Sequence, residues 1–307
     1  MTSVLCVDIG GTSTKAGILH QAGELKAVHS IPTKPDAESY LGNLAALIER
    51  ILTKTAQQGF EVKQMGVAVA GFLDSEREYL FYNSNLSWLE GFPLRRRLRE
   101  RFPELDIELE VDSNAATMAE YRFGSGQGSE RFLCVTVGTG LGVGMAVEGA
   151  PLRFAYGCMG DAGHVIVLRD GPLCTCGGRG CAEVMVSAPV VGERYRQRAG
   201  MERAAALRDV IEAAEAENHL AVAVLRETGE WLGIAIASLA NMFFPDHIAV
   251  AGGLSAAGDF ALRPAEEVFR QSACVLARSN ATFARAALGP KATLMGAAWP
   301  FWTEKVL

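Results

Sequence analysis

The chain has 307 residues, 49% of them hydrophobic and 21% charged, with a formal net charge of −6. That length exceeds what one ordinary core supports, so two domains are expected, and the composition excludes a disordered chain. The acidic balance argues against nucleic acid as the main partner, because binding a phosphate backbone needs a basic surface.

From the N-terminus, SVLCVDIG is an apolar run that closes on glycines and predicts a buried strand. TKAGILH (14–20) alternates moderately, Gln21-Ala22-Gly23-Glu24 predicts a turn, and LKAVHSI predicts a third strand. Tyr40, Leu41, Leu44, Leu47, Ile48, Ile51 and Leu52 fall on one helical face, with Gly59 as the stop. MGVAVAG (65–71) reads as another buried strand. The basic run Arg95–Arg101 invites a phosphate reading, yet Leu94, Leu98 and Phe102 repeat as an apolar helix stripe. Pro93 suits the first helical position, and the arginines are expected on the solvated face.

DIELEV then leads through Asp112-Ser113 into the helix NAATMAEYRF, which Gly124 ends. FLCVTVGTGLGVGMAV begins a second group of strands, and its glycines at 138, 140, 142 and 144 strip one face so that a ligand can touch backbone. Helical patterns dominate from Ala188 to Phe244. HIAVAGGLS predicts a strand and a turn, followed by a helix over Leu262–Ala277, a short strand near Ala292–Leu294 and a terminal helix. The apolar stretch Trp231–Phe244 ends at Pro245-Asp246, too short to span a bilayer, and suits a core or an interface, core preferred. No export signal is visible, because Asp8 interrupts the first apolar run and no basic lead-in precedes it. A cytoplasmic, reducing location without membrane attachment is expected.

The densest chemistry lies at 160–185. His164, Cys174, Cys176 and Cys181 bring one imidazole and three thiols into eighteen residues, the donor set of a closed tetrahedral Zn²⁺ site. A disulfide or ordinary buried cysteines are the alternatives, and a reducing location favours metal. Asp161 and Glu183 bracket the cluster, so a structural metal would fix two acids, as a site that reads sugar hydroxyls needs. A zinc hydrolase fits poorly, since three thiolates and a histidine leave no open coordination position. Cys6, Cys134, Cys158 and Cys274 stand singly and are expected to be buried small hydrophobes.

Two glycine turns follow apolar strands, Asp8-Ile9-Gly10-Gly11-Thr12 and Gly138-Thr139-Gly140, so the two halves echo each other. Backbone N–H groups there can approach a phosphate, and Asp8 can hold Mg²⁺ through water. Neither turn is a P-loop or a dinucleotide fingerprint, and each alone is equally a tight hairpin. Asp112, at a strand end, can accept a hydroxyl proton during phosphoryl transfer, or it or Ser113 can simply cap the following helix.

The motifs DIGGT (8–12), GVAVAGFLD, NSNLSW, VDSNAATMAE, VGTGLGVG, GDAGH, CTCGGRGCAE, AGGLS and MGAAW, in that order, resemble the ROK family of bacterial sugar kinases and sugar-responsive repressors. The resemblance runs from end to end, and the histidine–cysteine motif makes it specific. It implies an α/β protein of the two-lobed actin/hexokinase-like (ribonuclease H-like) fold with an inter-lobe cleft. The first lobe would span 1–115, completed by a helix at 295–307, and the second 116–294 with the zinc motif. It implies Asp112 as catalytic base, with Asp8, Gly10, Gly11, Thr12, Gly138, Thr139 and Gly140 at the phosphates and Mg²⁺ of ATP. Gly252 and Gly253 would lie against the nucleotide. Asn85, Asn114, Asp161, His164 and Glu183 would line or support the sugar pocket, with Zn²⁺ bracing its floor.

The expected partners are a sugar, a nucleotide and a second copy of the chain, a dimer being common in the family. Two positions depart from the family pattern: Asp161 stands where its kinases usually carry Glu, and Val111 where many carry Asn. Phosphorylation of a hexose or hexose derivative is the leading expectation, with lobe closure expelling water. The rival is a sugar-binding regulator without turnover. DIGGT begins at residue 8, so no helix-turn-helix domain is expected ahead of it.

Overall fold

The computed structural model describes residues 3–20, 22–34, 36–83 and 85–302. The chain divides into two compact units, one of Met1–Gly124, Glu148–Gly160 and Pro290–Leu307, the other of Ser125–Val147 and Asp161–Gly289. Gln21, of the first expected turn, lies outside the described residues, as do positions 303–307 of the expected terminal helix.

In the first unit β1 (Ser3–Ile9), β2 (Ser13–His20), β3 (Leu25–Pro32) and β4 (Val62–Val69) follow the predicted strands. Helix α1 (Ala37–Gln57) separates β3 from β4 and is capped by the Asp36 side chain, which accepts from Ser39 N at 3.1 Å. Two short strands not foreseen, β5 (Phe72–Leu73) and β6 (Leu80–Tyr82), form a separate antiparallel pair. Then come α2 (Leu94–Arg101), β7 (Asp106–Val111) and α3 (Asp112–Phe123). The sheet order is β3-β2-β1-β4-β7, antiparallel across β3-β2-β1 and parallel across β1-β4-β7. Leu5, Val7, Met65, Val67 and Leu109 of this sheet pack with Leu44, Ile48 and Ile51 of α1, all fully buried. Each such side chain contributes roughly 1.5–3 kcal/mol by leaving water.

Helix α2 differs from expectation in two details. Pro93 is its N-cap residue, one position before the first turn. Arg95 turns inward, donating to Ile107 O at 2.9 Å and to Glu78 at 3.2 Å, because β7 and the turn before β6 present acceptors to that side of the helix. Arg96 and Arg97 do lie outward, each pairing with Glu100.

The second unit begins with β8 (Arg131–Val137) and β9 (Leu141–Val147), and the short β10 (Ala150–Pro151) that follows belongs to the first unit. The helices are α4 (Glu183–Val186), α5 (Ala188–Ala199), α6 (Leu207–Glu215) and α7 (His219–Phe243). Next come β11 (His247–Ala251), α8 (Leu262–Ser272), α9 (Val275–Asn280) and β12 (Thr282–Arg285). Here the order β9-β8-β11-β12 repeats the plan of the first sheet, a hairpin followed by two parallel strands. Helix α7 buries Leu232, Ile236, Leu239 and Ala240 in the core of this unit. Among the described residues no helix is long and apolar enough to cross a membrane.

Three expectations are corrected. The helix foreseen over 262–277 is two, broken at Ala273-Cys274, where Cys274 N is taken by Asn241 Oδ1 at 2.8 Å instead of continuing the helical ladder. Cys274 is consequently exposed rather than buried. The strand foreseen near 292–294 is helix α10 (Ala292–Gly296), and the strand lies earlier, at β12, paired to β11. A helix suits 292–296 because its small residues approach α3 closely: a Cβ on Gly296 would sit 1.7 Å from Ala115 O. That packing sets α10 against α3 within the first unit.

Candidate functional site

In the first unit, Asp8 sits one residue before the end of β1, opposite Lys15 of β2. Burial pushes its carboxyl up to about 6, with the Lys15 charge pulling it down. The next residues turn back on themselves through Gly10 N to Ser13 O at 3.2 Å, which leaves Gly11 and Thr12 exposed. Asn85 is exposed beside this turn, its Cβ 3.1 Å from where a Cβ on Gly11 would lie.

Asp112 is the first residue of α3, directly after β7, and is partly buried. It is not the helix cap: that position belongs to Val111, which has no side-chain capping bond. Instead Asp112 Oδ1 accepts from Ser113 N at 2.8 Å. Burial first, and the neighbouring Asp8 charge second, push the Asp112 carboxyl up to about 7. Two acids whose titrations are both displaced toward neutrality are what proton transfer near neutral pH requires.

Asn114 is fully buried, and its Nδ2 donates to Glu110 Oε1 at 2.9 Å and to Gly157 O at 2.7 Å. Both amide hydrogens are therefore committed inside the unit. Its Oδ1 is buried without a partner among the described residues. The structure thus uses Asn114 as a brace. Glu110, which the sequence reading passed over, proves fully buried too. Only the alternation of Asp106, Glu108 and Glu110 along β7 hinted that carboxylates share one face.

In the second unit, Gly138-Thr139-Gly140 makes the β8–β9 turn, closed by Gly138 N to Gly140 O at 2.9 Å. Glu183 reaches this turn and accepts from Leu141 N at 3.0 Å. Its Oε2 lies 2.5 Å from where a Cβ on Gly140 would be, so only glycine admits the carboxylate there. Gly252, at the end of β11, crosses the same neighbourhood, the oxygen of Val137 being 2.3 Å from its would-be Cβ, and Gly253 packs on Leu207.

His164, Cys174, Cys176 and Cys181 converge, with all their ligand atoms within 4.8 Å of one another. His164 Nδ1 is 3.5 Å from Cys174 Sγ, and Cys176 Sγ is 3.6 Å from Cys181 Sγ. Donors around a tetrahedral Zn²⁺ with bonds of about 2.1–2.3 Å stand roughly 3.5–3.8 Å apart, so the set fits that ion. A disulfide needs sulfurs about 2.05 Å apart, and the Cys176–Cys181 separation rules one out here. The loop closes because Gly180 takes φ 66° with Leu168 O at 1.5 Å from a would-be Cβ, a place no other residue fits.

The second imidazole nitrogen, Nε2, lies 3.3 Å from Asp161 Oδ2. Asp161 therefore orients the ring that faces the thiols, in the manner of a carboxylate behind a metal-bound histidine. Its own carboxyl is raised by burial, His164 opposing and Glu183 adding to the rise, which brings both bracketing acids into one electrostatic neighbourhood.

The matching family is ROK, over residues 4–304, and the chain belongs to it. A glucokinase of Streptomyces coelicolor is 33% identical over 311 residues, spanning 95% of each chain. The crystal structure of a ROK family glucokinase from Streptomyces griseus in complex with glucose and AMPPNP superposes with a TM-score of 0.84 at 32% identity, covering 96% of this chain and 98% of that one. The fold is accordingly the actin/hexokinase-like α/β fold. A xylose repressor of Caldicellulosiruptor bescii is 25% identical, covering 96% of this chain and 76% of its own.

Proposed function

We propose that the protein is an ATP-dependent sugar kinase that transfers the γ-phosphoryl group to a hydroxyl of a hexose or hexose derivative. The observation that carries this reading is the placement of Asp8 near the end of β1 and Asp112 just past the end of β7, on either side of β4 in one sheet, with burial raising both carboxyls. Kinship with glucokinases over nearly the whole chain supports it.

In the reaction the sugar hydroxyl oxygen attacks the γ-phosphorus. The bond to the β,γ-bridging oxygen breaks, ADP leaves, and the hydroxyl proton passes to a carboxylate oxygen of Asp112. Asp112 must therefore be ionised beforehand, and its half-ionisation near neutral pH keeps it basic enough to take that proton. The backbone of Gly10–Thr12 and of Gly138–Gly140 would contact the phosphates, with Gly252 and Gly253 against the nucleotide. Asp8 would hold Mg²⁺, which supplies charge neutralisation at the phosphates. Asn85, Asp161 and Glu183 would receive sugar hydroxyls, with Asn114 supporting them. Zn²⁺ held by His164, Cys174, Cys176 and Cys181 would supply rigidity, fixing Asp161 through His164 and Glu183 through the Cys181 segment.

The test is ADP release over a panel of hexose, aminohexose and ketohexose with zinc-replete protein. Sugar-stimulated turnover is expected, and none with any member would overturn the proposal. Similarity to a xylose repressor favours a second reading, a sugar-binding regulator without turnover. Sugar binding unaccompanied by ADP release, and unchanged in Asp112→Asn, would establish that reading instead.

A further inference from the structure

Glu110 is a carboxyl side chain with no exposed surface, and its partners come from the start of α3 and from two arginines, Arg77 and Arg153. One carboxylate oxygen, Oε1, accepts from Val111 N at 3.0 Å and from Asn114 Nδ2 at 2.9 Å. Those donors belong to the residue before Asp112 and the residue two after it. Helix α3 has no side-chain cap, so this oxygen does the work of one from the preceding strand. The other oxygen, Oε2, is bonded by Arg153 and lies 3.8 Å from Arg77 Nη1. Asn114 in turn holds Gly157 O at 2.7 Å, which ties the Arg153–Gly157 segment to the same helix start.

A buried carboxylate is a poor device for stability alone, since an apolar residue of similar volume usually serves as well or better. What an apolar residue cannot do is fix three donors from three segments at one point. Resting on the reading of Asp112 as the base, we infer that Glu110, locked by Arg153, is a positioning residue that sets the direction of the Asp112 carboxylate. With no exposed surface, it acts through the peptide and the amide that flank the base. Displacement of a reacting group by about 1 Å can cost on the order of a hundredfold in rate, so the loss of this clamp is read in kcat.

The experiment compares Glu110→Gln, Arg153→Gln and Arg153→Lys with the wild-type chain in steady-state assays on the sugar it turns over fastest. Glu110→Gln keeps the volume but offers a single acceptor and sets an amide N–H against the cationic partners. It is expected to lower kcat by about 10–100-fold while KM for sugar and for ATP stay within about threefold. Arg153→Gln should show the same split more weakly, and Arg153→Lys should recover part of the rate. A folded Glu110→Gln with wild-type kcat would overturn the inference. So would variants in which kcat falls only in step with the unfolded fraction seen by circular dichroism, or two glutamine variants that do not fold. A wild-type chain that turns over no sugar refutes the kinase reading itself and removes the base that Glu110 would position.

Discussion

Replacing Asp112 by Asn should cut turnover steeply and, above neutral pH, make the fold more stable. The carboxyl is held at about 7 in the folded chain against an ordinary value of 3.8. The folded state thus binds the proton more tightly than the unfolded one, and wild-type stability falls as pH rises from about 4 to about 7. At 1.36 kcal/mol per unit, the difference accumulated between pH 5 and pH 8.5 is about 3 kcal/mol. Asp112 is only partly buried and solvent screens its charge, which brings the expectation to about 1.5 kcal/mol. Asn carries no charge at either pH and escapes that penalty. Urea melts of both proteins at pH 5 and pH 8.5 read the effect directly: the Asn variant should gain about 1.5 kcal/mol relative to wild type on going to the higher pH. The same substitution should lower kcat by about 10²–10⁴-fold, and wild-type kcat/KM should fall tenfold per unit below pH 7. Equal pH dependence of stability in the two proteins would refute the claim that burial and the Asp8 charge hold Asp112 protonated.

Metal analysis of the purified chain should find close to one zinc per molecule. Cys181→Ala, which removes a buried thiol of the cluster, should lose it and lower Tm by roughly 10 °C; a metal-free chain with the same Tm as the loaded one would count against a structural ion. Asp161→Glu lengthens by one methylene an acid that also orients His164. Its effect should appear in selectivity, raising kcat/KM for glucose relative to an aminohexose by about tenfold, and unchanged ratios across the sugar panel would show that this position does not read the sugar. Gly140→Ala should displace Glu183 from Leu141 N and lower stability by about 2 kcal/mol in a denaturant titration, whereas an unchanged midpoint would mean that the turn yields without breaking that bond.

Much of this protein is written in local pattern. Seven apolar residues at helical spacing set α1, glycine after each leading strand set both turns, and one histidine with three cysteines announced the His–Cys cluster. These signals survive without tertiary knowledge because each depends on neighbours in the chain: a helix face, a turn, a short loop that gathers its own side chains. Where the outcome depended on distant partners, the pattern was silent or misleading. Ala292–Leu294 reads as a short strand until α3 offers a surface that Gly296, one turn along the helix, approaches closely. Cys274 reads as core until Asn241 takes its N–H and turns the chain outward. The family resemblance set Asn114 at the sugar pocket and passed over Glu110, and neither reading shows that the two are buried against each other. Only the fold brings Arg77, Arg153 and Gly157 around them, and without those partners a buried carboxylate could not exist. The sequence alone determined which chemical groups the protein owns and the family to which their order points. Tertiary structure decided which of those groups are buried together, and burial is what raises the carboxyls of Asp8 and Asp112 above the ordinary carboxylate range.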